Sequence, residues 1–196
     1  MGENNYKKSS WIEVLQTKLL YQKLIKIIES RGGADNIKIL DSCSELKIFL
    51  DLTKDKNWFI ICLDTYLNII NKKLVVGDIE KMPFKNDSFD FILNKSSFSP
   101  LKPKKALNEI IRTLKPSGTF LILDLKKQNI FFKKILLIID FLFISKFHKR
   151  KETVEILNKA YSVKEIINLM ESFKNISYNI KSCFGIYYLI IGEKLE

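Results

Sequence analysis

Residues 74–93 read LVVGDIEKMPFKNDSFDFIL. Leu74-Val75-Val76 is an apolar run that passes through Gly77 to Asp78. A polar loop containing Pro83 and Asn86 follows, and FDFIL (89–93) returns to apolar residues. Both runs are continuously apolar rather than alternating, which is the pattern of strands covered on both faces of a parallel sheet. The closing aspartate recurs upstream. IKIL (37–40) is followed by Asp41, NWFIICLD (57–64) ends on Asp64, and KLVVGD (73–78) ends on Asp78.

Helical segments lie between these runs. ELKIFLDL follows Asp41, and KKALNEIIRTL (104–114) carries Ala106, Leu107, Ile110, Ile111 and Leu114 on one face. Lys115-Pro116-Ser117-Gly118 is expected to end that helix before a fifth strand, TFLILDL (119–125). Towards the N-terminus, Ser10-x-x-Glu13 forms a capping box for a helix with apolar residues at 12, 15, 19, 20, 24, 27 and 28, stopped by Gly32-Gly33. Towards the C-terminus, Ser162-x-x-Glu165 is a second capping box, with Tyr161 and Ile166 spaced as its hydrophobic staple. That helix runs to about Phe173, and NISYNIKS (175–182) and FGIYYLIIG (184–192) close the chain as an antiparallel pair. The alternation predicts an α/β doubly wound sheet. Residues 1–33 form an N-terminal covering helix and 34–196 the α/β domain.

Composition narrows the chemistry. A chain of 196 residues is one domain, and it buries about 70% of its unfolded surface without needing a disulfide or a metal. The 46% hydrophobic content excludes disorder, and 7 Gly with 4 Pro exclude collagen or linker character. Cys43, Cys62 and Cys183 form no C-x-x-C pair, and His148 is the single histidine. Ser-His-Asp chemistry, Cys-His chemistry and the common metal sites are thereby removed. Residues 1–10 are polar and give no sign of a signal peptide, so a reducing cytoplasm is the expected compartment. The net charge is +11, but only Arg31, Arg112 and Arg150 of the 33 basic residues are arginine. Base and phosphate recognition leans on the guanidinium fork, so this balance argues for a solvated basic surface and against a nucleic-acid partner.

Residues 129–151, NIFFKKILLIIDFLFISKFHKRK, read as a hydrophobic lid inserted in the domain. The longest apolar run, 135–144, contains Asp140. Ten helical residues span about 15 Å, half of a hydrocarbon core, which is too short to cross a membrane. Two readings stay open: a helix packed on the sheet or over a substrate pocket, and an interfacial helix in peripheral contact with a membrane. In the second, Lys146, Lys149, Arg150 and Lys151 meet anionic headgroups. Either implies a small hydrophobic substrate or an apolar protein partner.

In an open α/β sheet, ligands bind beyond the carboxyl ends of the strands. Aspartates there can accept hydrogen bonds from ribose hydroxyls or an adenine amino group, or can cap the following turn. Three in succession favour a nucleoside-bearing ligand.

The 74–93 stretch resembles the class I S-adenosylmethionine-dependent methyltransferases, of the small-molecule type that includes quinone and sterol methylating enzymes. ALNEIIRTLKPSGTFLILDL (106–125) is similar to their E-x-x-R-x-L-K-P-G-G segment, and YSVKEIINLMESF (161–173) to their late helix. The resemblance covers residues 37–192. It implies a Rossmann-like seven-stranded sheet, mostly parallel with an antiparallel C-terminal hairpin, and S-adenosylmethionine as cofactor. Asp64, followed by Thr65, matches the ribose-holding position, Asp78 and Ile79 match the adenine pair, and Asn94 faces the reacting methyl group. Asp41 opens the first cofactor motif, with Ser42, Cys43 and Ser44 at the methionine end. No catalytic residue is assigned. Transfer from a sulfonium needs little acid–base machinery, because positioning and water exclusion carry most of it. Lys95 reads as a solvated loop lysine and Tyr21 as part of the covering helix.

The first motif departs from the family pattern D-x-G-x-G-x-G. Asp41-Ser42-Cys43-Ser44-Glu45-Leu46-Lys47 has no glycine, so side chains occupy the cofactor's usual approach and positive φ is costly. Ser42-x-x-Glu45 is also a capping box, and Glu45 either fills the helix N-terminus or pairs with a cationic group of the cofactor. Asn94-Lys95-Ser96-Ser97 is not the [D/N]-P-P-[Y/F] of enzymes that methylate base amino groups. Two functions remain open: an active methyltransferase of a small hydrophobic molecule, and an inactive protein of that fold serving as a binding or partner subunit.

Overall fold

The computed structural model describes residues 11–30, 36–42, 46–64, 74–95, 102–131, 133–134, 150–183 and 185–196. The strands are β1 (Lys38–Asp41), β2 (Phe59–Asp64), β3 (Leu74–Val76), β4 (Phe89–Lys95), β5 (Leu114–Leu125), β6 (Ile176–Cys183) and β7 (Tyr187–Lys194). They form one seven-stranded sheet in the order β3-β2-β1-β4-β5-β7-β6. The first five run parallel, while β7 is antiparallel to β5 and β6 antiparallel to β7. This is the Rossmann-like sheet with a reversed closing hairpin that the sequence predicts. The helices are α1 (Trp11–Ser30), α2 (Leu46–Leu52), α3 (Pro103–Thr113), α4 (Arg150–Lys159) and α5 (Val163–Glu171).

Alternate residues of the central strands feed two cores. On β5, Leu121 and Leu123 pack towards α1 and α2, while Phe120 and Ile122 pack towards α3 and α5. Tyr21, Leu24 and Ile28 of α1 recur at helical spacing and are fully buried, and the Tyr21 ring stacks on Phe49 of α2 with centroids 4.6 Å apart. Ala106, Leu107, Ile110 and Ile111 supply the α3 face, and Ile166 and Met170 the α5 face. Each such side chain, moved from water into the core, contributes about 1.5–3 kcal/mol. The Ser162–Glu165 capping box starts α5 as expected, and Tyr161 packs against the cluster that contains Ile166.

One expectation is corrected, and one helix was not foreseen. The Lys115–Gly118 stretch does not separate α3 from a later strand; β5 begins at Leu114, directly after the helix. Leu114 pairs with Phe89 and Thr119 with Phe91, so the intervening residues bulge out of the ladder, with Ser117 at φ 59°. The Lys115 ammonium, 2.7 Å from Asp90, ties this bulge to β4. The helix α4 was not foreseen, because RKETVEILNK offers too few apolar residues to show a periodicity. Ser10 and most of 129–151 lie outside the described residues. No described helix is long and apolar enough to cross a membrane.

Gly192 of β7 sits opposite Phe120 of β5, and a Cβ there would stand 2.1 Å from the Phe120 ring. That ring is fully buried and cannot swing away. Gly192→Ala is expected to cost about 1–3 kcal/mol by overpacking. Urea unfolding of the variant against the parent measures it; unchanged stability would contradict the packing described.

Candidate functional site

Strand order reverses between β1 and β4, so helices leaving their carboxyl ends diverge to opposite faces and a crevice opens there. Sequence-predicted residues border it side by side: Asp78 after β3, Asp64 ending β2, Asp41 ending β1 and Asn94 near the end of β4. Neighbouring strands lie about 4.8 Å apart. A row of oxygen acceptors therefore follows the carboxyl edge of the sheet.

Asp41 is fully buried, and its Oδ2 accepts a hydrogen bond from the Tyr21 hydroxyl at 2.7 Å. Tyr21 is thus more than covering-helix packing, since it fixes one oxygen of the first strand-ending carboxylate. Ser42 crosses to the neighbouring strand. Its N–H and Oγ–H both donate to the Leu93 carbonyl, at 2.9 and 2.7 Å, and its Oγ accepts from Asn94 Nδ2 at 2.9 Å. Asn94 is 2% exposed, and its Oδ1 has no hydrogen-bond partner among the described residues. A buried amide oxygen without a donor is costly and marks a place where a ligand donor fits.

Lys95 is not a solvated loop lysine. It ends β4 half-buried, and its ammonium donates to the hydroxyl of Thr17, a fully buried residue of α1. Helix α1 therefore grips the crevice at two points, Tyr21–Asp41 and Thr17–Lys95.

Asp64 is half-buried, and its carbonyl accepts the Gly77 N–H at 2.9 Å, which holds the end of β2 to the turn after β3. Asp78 is exposed; its Oδ1 accepts the Glu80 N–H at 2.8 Å and so caps its own turn. Ile79 is buried in the core on the α3 side, beside Leu63 and Met82. Cys43, Ser44, Glu45 and Thr65 lie outside the described residues.

Cys62, one residue-pair before the edge, reports the local field. Its thiol is pushed up to about 12, first by burial and then by the negative charges of Asp41 and Asp64. The thiol is inert at neutral pH. The crevice is acidic within a basic protein, which suits a ligand carrying positive charge and hydroxyl donors.

The loop after Asp78 is laced to α3. Glu109 Oε2 accepts the Met82 N–H at 2.7 Å and also bonds Arg112. The Arg112 guanidinium donates to the carbonyls of Met82 and Phe84 and to Asn86 Oδ1. Glu80 Oε1 accepts the Lys102 N–H at 2.9 Å. The E-x-x-R spacing thus places both charged groups one helical turn apart, facing the same loop. Sequence reasoning also passed over Asp124 and Tyr188, paired across β5 and β7 and both fully buried. The Tyr188 hydroxyl has no hydrogen-bond partner among the described residues, and burial raises its pKa further than the nearby Asp124 and Tyr161 do. Asp124 carried a signal, being one more acid near a strand's carboxyl end; Tyr188 carried none.

Residues 48–122 match the family model described as a methyltransferase domain. An uncharacterised protein of Methanocaldococcus jannaschii is 26% identical over 184 residues, covering 90% of this chain and 74% of that protein. A sterol 4-C-methyltransferase of Caenorhabditis elegans is 39% identical over 59 residues, 29% of this chain and 17% of the enzyme. Among solved structures, a proposed S-adenosyl-L-methionine-dependent methyltransferase of Methanococcus maripaludis superposes with a TM-score of 0.61 at 22% identity, covering 100% of this chain and 98% of the other. That likeness shows the fold, and the domain match runs from α2 into β5, spanning β2 to β4.

Two measurements test the fixtures of the site. Tyr21→Phe removes the donor to a buried carboxylate and is expected to destabilise the protein by about 1–3 kcal/mol in urea unfolding. Glu109 is held below its usual value of 4.5, mainly by its hydrogen bond from Arg112. A lowered folded-state pKa gives stability that is present above the unfolded value and is lost as pH falls through the folded one. Thermal unfolding followed from pH 7 to pH 3 should therefore fall more steeply for the parent than for Glu109→Gln. Parallel curves would contradict the clamp.

Proposed function

We propose that this chain is an S-adenosylmethionine-dependent methyltransferase acting on a small hydrophobic molecule. One observation carries the reading: the acceptor row Asp78, Asp64, Asp41 and Asn94 along the crevice, with Asn94 Oδ1 buried and lacking a donor among the described residues. The cofactor's chemistry suits this row, because it offers hydroxyl and amino donors and two cationic centres. The matched domain and the short sterol-methyltransferase similarity support the same assignment.

In this reading Asp64 holds the ribose hydroxyls, and Asp78 with Ile79 borders the adenine. The 41–46 turn, with Ser42, Cys43 and Ser44, meets the methionine end, and Thr65 follows the ribose-holding acid. When bound, the cofactor would supply an electrophilic methyl group on a sulfonium. The residues of the chain position and desolvate. Asn94 offers its Oδ1 from a rigid setting, since its amide nitrogen is already anchored to Ser42 and through it to Leu93. Helix α1 closes one side of the crevice through Tyr21 and Thr17 and keeps bulk water from Asp41. The hydrophobic character assigned to the substrate comes from the Phe/Ile/Leu-rich 129–151 segment.

Calorimetric titration with S-adenosylmethionine and S-adenosylhomocysteine tests the reading. Micromolar binding is expected, weakened at least about tenfold in Asp64→Ala, which loses about 1.4 kcal/mol or more. No heat with either ligand up to millimolar concentration would overturn it in favour of an inactive subunit.

A further inference from the structure

Two fully buried side-chain polar atoms lack a hydrogen-bond partner among the described residues, Asn94 Oδ1 and the Tyr188 hydroxyl. The register brings their residues to one face of the sheet. Asn94 stands beside Ile122 of β5, and Asp124, two residues further on, stands opposite Tyr188 of β7. Residues two apart on a strand share a face, and Ile92, Ile122, Ile190 and Tyr188 all pack on the α3 and α5 side. Asn94, Asp124 and Tyr188 therefore make a polar stretch on that side, at the carboxyl ends of β4 and β5. A groove of about 330 Å³ lies on the same side, between α3 and α5, with Pro103, Tyr161 and Leu169 in its walls. Tyr161 connects the two. It bridges to Lys126 just beyond β5, its carbonyl accepts the Lys127 N–H at 2.9 Å, and its phenol is close enough to Tyr188 to help raise the Tyr188 pKa.

The Tyr188 hydroxyl is the informative atom. A phenol carries one donor and acceptor lone pairs, and burying it with neither in use is costly. Asp124 stands opposite and its charge adds to burial in raising the Tyr188 pKa, yet no hydrogen bond joins the two. The Asp124 Oδ1 instead accepts the Leu125 N–H at 2.6 Å. Tyr188 thus stays protonated at neutral pH, with its proton still to be donated. A ligand group set here must accept from a phenol and sit beside a carboxylate. Carboxylates and phosphates are repelled by Asp124, and an ammonium cannot accept. A neutral hydroxyl meets both demands, because it accepts from Tyr188 and keeps a proton to turn towards the acid.

We propose that the Tyr188 hydroxyl, with Asp124 beside it, binds the neutral hydroxyl of a small apolar alcohol or phenol whose body lies against Tyr161 and Leu169. A volume near 330 Å³ is at the small end of ligand sites and suits a single ring. Tyr188 is then a specificity residue that selects uncharged hydroxylated molecules. That these are methyl acceptors rests on the methyltransferase reading above; the preference for a neutral hydroxyl does not.

Phenol, fluorobenzene and benzoate are the probes, titrated into protein carrying ¹³C at the tyrosine ζ carbons. The Tyr188 signal is the one lost in Tyr188→Phe. Phenol is expected to shift it saturably, with fluorobenzene (no hydroxyl) and benzoate (charged) each at least about tenfold weaker. Tyr188→Phe should bind phenol at least about tenfold more weakly, by calorimetry, and melt no lower than the parent, because the hydroxyl it removes has no partner to lose. A tyrosine with a purely structural role would melt lower on that change. Equal affinity for fluorobenzene or benzoate, no saturable shift at Tyr188, undiminished phenol binding in Tyr188→Phe, or a lower melting temperature for that variant would overturn the proposal. S-adenosylhomocysteine titrated into the same samples separates the two readings. If it binds and phenol does not, the hydroxyl subsite alone falls. If phenol binds and it does not, the subsite stands and its role in methyl transfer falls.

Discussion

The reversal of strand order at β1 and β4 is the constraint on which the rest of the molecule depends. Strand β1 is four residues long, yet it pairs in parallel with β2 on one side and β4 on the other, so that Asp41 lies level with both Cys62 and Leu93. Parallel neighbours require crossover connections, and right-handed crossovers leaving from opposite sides of β1 must cover opposite faces. Hence α2 packs with α1 on one face and α3 on the other, and neither covers the strand ends between them. The burial of Asp41 and the Ser42–Asn94 link are consequences of that arrangement.

Around this crevice the molecule is braced from both faces. On one side α1 supplies Tyr21 and Thr17, whose hydroxyls meet Asp41 and Lys95. On the other, α3 supplies Glu109 and Arg112, which hold the loop after Asp78 by its backbone. Both braces act on groups adjacent to the acceptor row, and neither pair is spread over a flexible surface. Partly buried, multiply hydrogen-bonded charges of this kind give geometric definition more dependably than isolated surface ion pairs do. The charge distribution is uneven in a useful way. A chain of net charge +11 gathers carboxylates at one edge, where burial first and the charges of Asp41 and Asp64 second push the Cys62 thiol up.

Much of this was legible in the chain itself. Continuously apolar strands, each ending in an acid, announced a parallel sheet and its carboxyl edge, because burial on both faces leaves no room for alternation. The Ser162–Glu165 box was readable since capping is local, its partners only three residues apart. The E-x-x-R segment was recognised without its purpose. Glu109 and Arg112 lie one helical turn apart, but the loop atoms they hold are 26 to 30 residues away, and only folding brings them together. The bulge at 115–118 was misread as a boundary because Pro and Gly signal interruption, whether of a helix or of a strand ladder.

The sequence by itself determined the sheet class, the direction of its strands, the acids at their ends and the apolar face of α3, since these follow from local periodicity and local hydrogen bonding. On α1 the spacing placed Leu24 and Ile28 correctly, but Leu15 and Leu19 are exposed and Tyr21 is buried instead. Tertiary structure alone decided that Tyr21 meets Asp41, that Thr17 meets Lys95, and that Ser42 holds the Asn94 amide while the Asn94 Oδ1 has no partner among the described residues. Those pairs are separated by 20 to 78 residues, and their contacts depend on the angle at which whole helices settle on the sheet. That angle is set by packing summed over both cores, which no short stretch of sequence contains.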